Sequence, residues 1–556
     1  MEDHLIRDFS GTWAIRAMQT FTSPIISTTF ATLILVVATV RASVNASESQ
    51  VEQDWITVAL SEAPSMLLHV TLKGKNRKIH GQSVFDVYAN PVVSADNTNI
   101  HYDAFSSFIQ GDTRFTYMFV NGTSYMVESL ASDNISSNWQ ALHCLPSIIP
   151  FEHIFPALNN ATIVPSASVR GEPVDCPGGS LFQTSFSGVD FVLCVSSGSG
   201  FTAYGLDVTM TAKYLPGPTR YTLPALVEEA APCPVVTTPE PVAPTAIAIL
   251  TGRSLPPSSS RNLRTAAHAA IEADTCECMS TPRPCIFLHG LGNPNEEAEL
   301  QDTPKLTKEK FGDIGDHAPC CTTVKYAVLN TVDIGWTNET LQQKFCDFSL
   351  SMSETSDLTS RTTSDTIVVT HSMGGLVLAS ALATGKCKLA ASTSWVSMSA
   401  PTMGSMAGDF LQDICDGELT DVVSKVMDLV GQCPVSIARK STYYQNGKYS
   451  TPELNAAYTA AQEAYRSNVH AALCSKSYNG VLSKYYPSCL VGGTVIPNKS
   501  KENDALVEFQ SCLGGLDPDM FGDSYLDRFY SAKLNHADTA FLTHDGLFRD
   551  SQKPFK

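Results

Sequence analysis

The sequence predicts two folded parts, an antiparallel all-β domain followed by an α/β domain with a mostly parallel sheet and a helical cap. Residues 366–376 pass from a β-branched run through a tight turn into a segment that can form a helix, which indicates an α/β unit. Residues 115–127 alternate around Asn121-Gly122, a strong hairpin signal. We therefore predict boundaries at 1–46 for a targeting segment, 47–213 for the β domain, 214–275 for a linker and 276–556 for the α/β domain.

The targeting segment contains an apolar stretch at 30–40, followed by the small residues Ala42 and Ala46. This pattern is typical of a secretory signal peptide that is cleaved nearby. Twenty-nine residues precede the stretch, so two alternatives stay open: translation begins at Met18, or 25–40 remains as a signal anchor. We favour cleavage because the apolar stretch is short for a membrane span. The protein is expected to be secreted, with membrane anchoring in the secretory pathway as the alternative.

Residues 47–213 are expected to form a sandwich or a curved half-barrel, since alternating segments and turn signals recur along them. They contain no catalytic constellation, and two roles stay open: binding a lipid or a partner, and shielding the α/β domain. The linker 214–275 is rich in proline, threonine, alanine and serine, which favours an extended spacer with a helix near 266–273. A shortened chain that begins near Thr281 is therefore expected to fold and retain activity.

A candidate nucleophile, Ser372, lies on the turn between the predicted strand and helix. A serine hydroxyl is a poor nucleophile unless it is held where a base can take its proton and backbone N–H groups can meet the oxyanion. Such a turn tolerates only small residues two positions either side of the serine. Gly374 meets this demand, whereas Thr370 replaces the usual glycine. The alternative is that Ser372 merely caps the helix.

Upstream, the short apolar strand 285–288 runs into His289-Gly290-Leu291-Gly292. Glycines in such a turn let backbone amides point at a developing negative charge. We therefore predict that the Leu291 and Met373 N–H groups form an oxyanion hole. His289 and His371 are expected to be structural.

Downstream, residues 489–497 are expected to form a late core strand, and Asp504 follows in an Asn-Asp-x-x-Val segment. His536 follows near the C-terminus in Asn-His-Ala-Asp. The order serine, aspartate, histidine is that of a catalytic triad. His544 is the competing base, and the competing acids lie in a polar loop: Asp517, Asp519 and Asp523.

These motifs resemble the α/β-hydrolase superfamily, and within it the lipase-like serine esterases. The resemblance covers about 280–550 and also includes the segment 395–405, which is similar to the strand after the nucleophile helix of lipases. The string His-Ser-Met-Gly-Gly is similar to deacylases that act on the inositol of glycosylphosphatidylinositol anchors, although those enzymes carry many membrane spans. The resemblance implies a secreted hydrolase that cleaves carboxylic esters, with lipid or acylated substrates, some presented at a membrane surface.

The resemblance also implies the mechanism. His536 would take the proton of Ser372, Asp504 would orient the imidazole, and water would cleave the acyl-enzyme. No metal or organic cofactor is required. About a hundred residues separate 400–401 from Asp504, which leaves room for a cap with helices at 407–430 and 452–473. Two alternatives stay open: the helices pack on the core, or the chain is a non-catalytic binding protein, an alternative supported by Thr370 alone.

The composition limits which partners the protein can bind and indicates the cellular location in which it folds. A net charge of −18 argues against nucleic acid, and against an anionic membrane surface as a long-range electrostatic partner. Sixteen cysteines predict disulfides, including Cys415 with Cys433 and Cys489 with Cys512. Six Asn-x-Ser/Thr sequons predict a glycoprotein with exposed sites, at Asn45, Asn121, Asn134, Asn160, Asn338 and Asn498. The sequence does not predict the oligomeric state.

Overall fold

A computed structural model describes residues 51–555, apart from 52, 75–76, 132–139, 146–152, 197, 222–232, 236–239, 256–267, 273–277, 279, 419–432 and 548. The predicted signal peptide or signal anchor lies outside the described residues. Within the described part, no helix combines the length and the apolar character needed to cross a membrane.

The N-terminal part is built on one large antiparallel sheet of twelve strands, in the order β6-β5-β4-β3-β2-β1-β13-β12-β11-β10-β7 with β14 beside β3. The hydrogen bonding runs through this order without dividing into the two stacked sheets of a sandwich. A small sheet of β15, β8 and β9 accompanies it. The strands are β1 (Ser65–Leu72), β2 (Val84–Val93), β3 (Asn99–Gln110), β4 (Thr113–Val120), β5 (Thr123–Leu130), β6 (Gln140–Cys144), β7 (Thr162–Val164), β8 (Ala167–Val169), β9 (Glu172–Pro173), β10 (Gly179–Phe186), β11 (Val189–Ser196), β12 (Gly200–Tyr204), β13 (Val208–Leu215), β14 (Glu240–Pro241) and β15 (Ala269–Ile271).

The C-terminal part contains a separate sheet of six strands in the order β17-β16-β19-β21-β22-β23, and every neighbouring pair is parallel. Parallel strands direct their carboxyl ends to one edge of a sheet, where ligand sites of open α/β sheets form. Its strands, with the short pair β18 and β20, are β16 (Arg283–Leu288), β17 (Cys321–Ala327), β18 (Thr362–Thr363), β19 (Ile367–His371), β20 (Lys388–Leu389), β21 (Ser394–Met398), β22 (Val469–Ser475) and β23 (Phe529–Ala532).

Helices cover both parts: α1 (Ile154–Asn159), α2 (Pro244–Thr251), α3 (Glu339–Ser351), α4 (Met373–Ala383), α5 (Met406–Cys415), α6 (Ile437–Lys440), α7 (Pro452–Asn468), α8 (Tyr486–Val495) and α9 (Phe509–Leu513). Successive residues of a strand face opposite sides of the sheet. Accordingly, Ile286 and Leu288 of β16 belong to one buried cluster, with Trp336 and Trp395, whereas Phe287 belongs to a cluster on the other face. Apolar side chains of the central strands are therefore buried on both faces, as in a sheet that is covered on both sides.

Helix α7 is a core helix, so the prediction of a cap over 452–473 is wrong. Tyr458, Ala461 and Tyr465 are buried at helical spacing and join the cluster that contains Trp395. Residues 469–473 belong to strand β22. The apolar positions that suggested a lid therefore face the sheet. The other predicted cap segment, 407–430, is described only as far as 418, where α5 covers its first part.

Two further sequence predictions are corrected by the same kind of packing. Residues 489–495 belong to α8 instead of a strand, because a short apolar run does not distinguish a strand from a buried helix. The linker is not an extended spacer throughout: in α2, Ile247 and Ile249 are buried in the core of the β domain. Near its end, Ala269–Ile271 pairs with β8 as a strand where a helix was expected.

Seven disulfides link the described cysteines: Cys144–Cys233, Cys176–Cys194, Cys278–Cys320, Cys285–Cys321, Cys346–Cys387, Cys415–Cys433 and Cys474–Cys512. The predicted pair Cys415–Cys433 is present. The predicted pair of Cys489 with Cys512 is wrong: Cys512 bonds Cys474 of β22, and Cys489 lies on α8 with a free thiol. The side-chain amide of Asn498 is buried, so that sequon is not the exposed site the sequence suggested.

The two parts pack against each other through apolar and charged groups. Tyr486 of α8 is fully buried in a cluster with Phe115 and Met126 of the β domain. Arg77 of the β domain pairs with Asp207 at 2.9 Å and approaches Asp545 of the α/β domain at 3.8 Å. The β domain therefore covers apolar surface of the α/β domain.

Candidate active site

Ser372 lies on a strained turn between β19 and α4. Its φ of 55° and ψ of −131° are unusual for a residue with a side chain, and strain of this kind persists only where the surroundings hold it. The crowding explains the small neighbours, since a Cβ on Gly374 would lie 2.7 Å from the carbonyl oxygen of His289. Thr370 is accommodated because its hydroxyl accepts a hydrogen bond from the indole of Trp395 at 2.9 Å. Threonine in place of the usual glycine therefore fits the turn, because Trp395 packs against its side chain and bonds its hydroxyl.

The structure brings Ser372, His536 and Asp504 together. The hydroxyl of Ser372 lies 3.0 Å from Nε2 of His536, and Nδ1 of His536 lies 2.8 Å from Oδ2 of Asp504. A proton on Nδ1, donated to the carboxylate, leaves Nε2 free to accept the proton of the serine. Ser372 follows β19, Asp504 lies in the loop after α8, and His536 follows β23. Ser372 and Asp504 are 164 and 32 positions from His536 in the sequence. Their order along one hydrogen-bonded line is that of a nucleophile, a base and an orienting acid.

Asp504 is fixed by its own loop. Its Oδ1 accepts hydrogen bonds from the backbone N–H groups of Leu506 at 3.0 Å and Val507 at 2.7 Å. Its backbone carbonyl accepts from the N–H of His536 at 2.8 Å. These contacts leave Oδ2 directed at the imidazole, and the carboxylate is only 1% exposed. Oδ1 of Asp504 is thus bonded within its own loop, while Oδ2 contacts the imidazole of His536.

The loop that carries His536 is held by its flanking residues. The side-chain oxygen of Asn535 accepts from the N–H groups of Ala537 and Asp538, each at 3.0 Å. Asp538 in turn accepts from the N–H groups of Asn535 at 2.9 Å and Val481 at 3.0 Å. Burial raises the pKa of Asp538 to about 7. The supporting role of Asp538 is not predicted from the Asn-His-Ala-Asp string. The signal that could have revealed it is the tendency of Asn and Asp side chains to accept hydrogen bonds from nearby backbone N–H groups.

His371 packs behind the base without replacing it. Its ring centroid is 4.7 Å from that of His536, and its Nε2 lies 3.1 Å from the hydroxyl of Thr539. Burial, reinforced by the neighbouring His536, holds the pKa of His371 well below its ordinary value. A neutral ring at this position avoids repulsion with a positive charge on His536.

The loop after β16 is held in place by hydrogen bonds of the buried His289. Nε2 of His289 accepts from the amide of Asn293 at 3.1 Å and from the N–H of Leu329 at 3.3 Å. His289 therefore carries its proton on Nδ1 and donates it to the carbonyl of Gly290 at 2.8 Å. Burial lowers the pKa of His289 to about 4, which keeps the ring neutral.

The fixed carbonyl of Gly290 determines where the next N–H points. Thr331 also donates to this carbonyl, at 2.9 Å. Because the peptide unit is planar and trans, the N–H of Leu291 points in the opposite direction. Gly290 itself touches the nucleophile, since a Cβ there would lie 2.5 Å from Cβ of Ser372. The N–H of Met373 is free of an intrahelical acceptor because Met373 begins α4. Of the two predicted oxyanion donors, Met373 directly follows Ser372 and Leu291 directly follows Gly290, which touches Ser372.

The competing residues lie elsewhere. His544 is buried, with Nδ1 2.9 Å from the carbonyl of Asp545 and Nε2 2.9 Å from the carbonyl of Leu482. Both ring nitrogens are therefore occupied by backbone. Asp517, Asp519 and Asp523 are exposed on the surface.

A second buried carboxylate, that of Glu508, lies four residues after Asp504 in the same loop, which is called the acid loop below. Glu508 is fully buried and begins α9, and one of its oxygens has no hydrogen-bond partner among the described residues. Burial raises its pKa to about 7, and the charge of Asp504 contributes. The raised pKa of Glu508 shows that a negative charge is unfavourable at this buried position.

No family model matches the chain, and no curated protein sequence matches it. Among solved structures, a lipase of Bacillus licheniformis, BlEst2 in its propeptide form, is 14% identical with a TM-score of 0.30, over 48% of this chain and 49% of that one. Lipase 1 of Pelosinus fermentans is 13% identical with a TM-score of 0.27, over 48% of this chain and 96% of that one. The chain thus spans about half the length of the BlEst2 lipase. At these scores the likeness to two lipases adds no argument to the geometry.

Proposed function

We propose that the protein is a secreted serine hydrolase that cleaves carboxylic esters through Ser372, His536 and Asp504. The observation that carries the proposal is the continuous hydrogen-bonded line from the Ser372 hydroxyl through His536 to Asp504, at 3.0 and 2.8 Å. A serine at a strained turn, facing a base that is oriented by a buried carboxylate, has no stabilising role that would explain the arrangement.

In the first half of the reaction, the Ser372 oxygen attacks the ester carbonyl carbon while Nε2 of His536 takes the hydroxyl proton. The carbonyl oxygen becomes negative and is met by the N–H groups of Leu291 and Met373. Asp504 stabilises the imidazolium that forms on His536 without taking its proton. The imidazolium then protonates the departing alcohol, and the acyl group remains on Ser372.

In the second half, His536 takes a proton from water as the water oxygen attacks the acyl carbon. Breakdown of the second oxyanion intermediate releases the carboxylic acid and returns the proton to Ser372. The neutral His371 behind the base matters in both halves, because an imidazolium on His536 is present twice per cycle. This mechanism requires no metal or organic cofactor.

The substrates we propose are lipids or other acylated small molecules. Segments that follow β21 and β22 gather beside the triad: α5 and α8 share a buried apolar cluster that includes Phe410 and Ile496. Ser405, at the start of α5, donates to the carbonyl of Leu506 in the acid loop. A cap built from these segments would shape an acyl pocket. Seven disulfides fit an extracellular protein, in keeping with the proposed secretion.

A fluorophosphonate probe tests the proposal. Wild-type protein should be labelled at Ser372, Ser372→Ala should lose the label, and both should melt at nearly the same temperature. His536→Ala should lose turnover of p-nitrophenyl esters, whereas the matched variant His544→Ala should lose stability without a comparable loss of kcat. Folded protein that takes up no probe would instead be a non-catalytic binding protein. Esters of increasing chain length, a phospholipid and a peptide amide then define the substrate.

A further inference from the structure

Lys310 is a partly buried cation beside the loop after β16 that contains Gly290, Leu291 and Gly292, called the oxyanion loop here. Its side chain runs along Gly292, where an added Cβ would lie 3.4 Å from Nζ. Gly292 is two residues from Gly290, which touches Ser372, so the ammonium group lies on the order of 10 Å from the nucleophile. The charge of Lys310 also contributes to the lowered pKa of the buried His289.

The backbone before Lys310 is held in an uncommon conformation. Lys308 and Glu309 are consecutive residues with positive φ, 48° and 59°. Left-handed backbone at residues with side chains is costly and clusters at ligand sites. Here it turns the two side chains apart: the carboxylate of Glu309 accepts from Lys484 at 3.0 Å and from the hydroxyl of Tyr485 at 3.2 Å, while Lys310 lies along the oxyanion loop.

Arg439 is a second partly buried cation, on α6. Ser441, the residue directly after α6, has its hydroxyl 3.9 Å from the sulfur of Met373, so the end of this helix lies near the start of α4. Arg439 is near enough to Lys310 that its charge helps to lower the pKa of Lys310, after desolvation. Lys310 therefore lies along the loop that carries Gly290, Leu291 and Gly292, and Arg439 is close enough for the two charges to interact.

Neither cation has an ion-pair partner among the described residues, although the chain carries 55 acidic and 37 basic residues. The charge of Glu309 acts on Lys310, but the Glu309 carboxylate is itself paired with Lys484 at 3.0 Å. Desolvation lowers the pKa of both Lys310 and Arg439, which shows that placing them here is unfavourable. Interacting, partly desolvated cations that form no ion pair with a carboxylate among the described residues have the character of a site for an anionic ligand.

We infer that Lys310 and Arg439 form an anion subsite that selects ester substrates carrying a phosphate or carboxylate near the scissile bond. The inference rests on the proposed function and deepens it by naming the substrate class. Arg439 supplies a planar fork that can bind two oxygens at once, and Lys310 supplies a point charge on the side of the oxyanion loop. The acidic surface of the rest of the molecule repels anions, so this local pair determines which of them bind.

Two matched substrate pairs test the subsite with monomeric, soluble esters. The first pair is a short-chain lysophosphatidate and the monoacylglycerol with the same acyl chain. The second pair is 4-nitrophenyl hemiglutarate and its neutral methyl ester. The readout is the ratio of kcat/KM for the anionic member to that for the neutral member, at low and high salt. Competitive inhibition by inorganic phosphate is measured beside it.

The wild-type ratio should exceed about 10 for at least one pair, and Lys310→Gln and Arg439→Gln should each lower it about 10-fold. Arg439→Lys should restore part of the ratio. Lys440→Gln removes the same charge from the next residue of α6, where the side chain is exposed, and should leave the ratio and the inhibition by phosphate unchanged. High salt should lower the wild-type ratio more than that of the two glutamine variants.

Preference within the first pair alone identifies phosphate as the recognised group, and preference within both identifies anions in general. A wild-type ratio near 1, or an equal loss in Lys440→Gln, would overturn the inference. Turnover of the neutral esters and fluorophosphonate labelling of Ser372 are independent of the ratio. They therefore separate a failure of the subsite from a failure of the proposed hydrolase.

Discussion

Replacing Gly290 with alanine should disable the site while leaving the protein folded. The added Cβ would lie 2.5 Å from Cβ and 3.0 Å from Oγ of Ser372, closer than ordinary carbon contacts. Relief requires the loop and the nucleophile to separate by about 1 Å, and displacements of this size in a catalytic constellation cost about 100-fold in rate. The N–H of Leu291 would move with the loop, and loss of one oxyanion donor alone costs about 100-fold or more. We therefore expect kcat to fall at least about 100-fold.

The assay is ester turnover under saturating substrate, with thermal unfolding followed in parallel. Gly385→Ala is the matched control: Gly385 has a φ of 70°, but no atom lies within 4 Å of an added Cβ. This control should lose about 1 kcal/mol of stability through backbone strain and keep its kcat. If Gly290→Ala folds normally and keeps kcat within about threefold, the contact between the oxyanion loop and Ser372 does not position the site as argued here.

Three further outcomes follow from buried groups. Folding raises the pKa of Asp538 from 3.8 to about 7, so the free energy of unfolding should fall as the pH rises between these values, by up to about 4 kcal/mol. Asp538→Asn should remove most of this pH dependence. Urea unfolding at pH 5 and pH 8 measures it. Removing the Cys474–Cys512 bridge, which spans 38 positions, should cost about 4 kcal/mol, whereas Cys489→Ala should change denaturant unfolding little; non-reducing peptide mapping checks the pairing. A shortened chain that begins at Asp274 should unfold at a lower temperature and bind more of a hydrophobic dye than the full chain, because it exposes Tyr486.

The last of these expectations differs from the one drawn from the sequence alone. Proline and serine between 214 and 275 suggested two independent domains, and the shortened chain was expected to stay active. The sequence could not indicate that the apolar part of this stretch, Ile247 to Ile249, enters the β domain core, or that α8 presents Tyr486 to Phe115. Ile247 and Ile249 belong to a short apolar run, which alone does not reveal where it packs. Tyr486 and Phe115 lie more than a hundred positions apart, so no local pattern connects them.

The geometry around Ser372 was more accessible to prediction because each part of it depends on a local signal. A β-branched strand, a turn of small residues and a helix occupy one short stretch, so the position of Ser372 is encoded within about ten residues. Asp504 and His536 were identified through similar short motifs, and the structure brings both to Ser372. The motifs do not encode the surrounding interactions that hold these three residues in place. Examples are the tautomer of His289, the burial of Glu508 and the contact of Thr370 with Trp395.

The same distinction explains why the anion subsite escapes sequence analysis. Lys310 and Arg439 are 129 positions apart and occupy no motif, and a lysine or arginine in sequence is ordinarily a solvated surface charge. They become informative only when the fold places Lys310 along Gly292, brings Arg439 close enough for the two charges to interact, and turns the adjacent Glu309 toward Lys484. The triad would supply chemistry that many esters share, whereas two unpaired cations at its edge would distinguish one ester from another. Specificity in this protein is therefore to be sought in the residues that the motifs leave out.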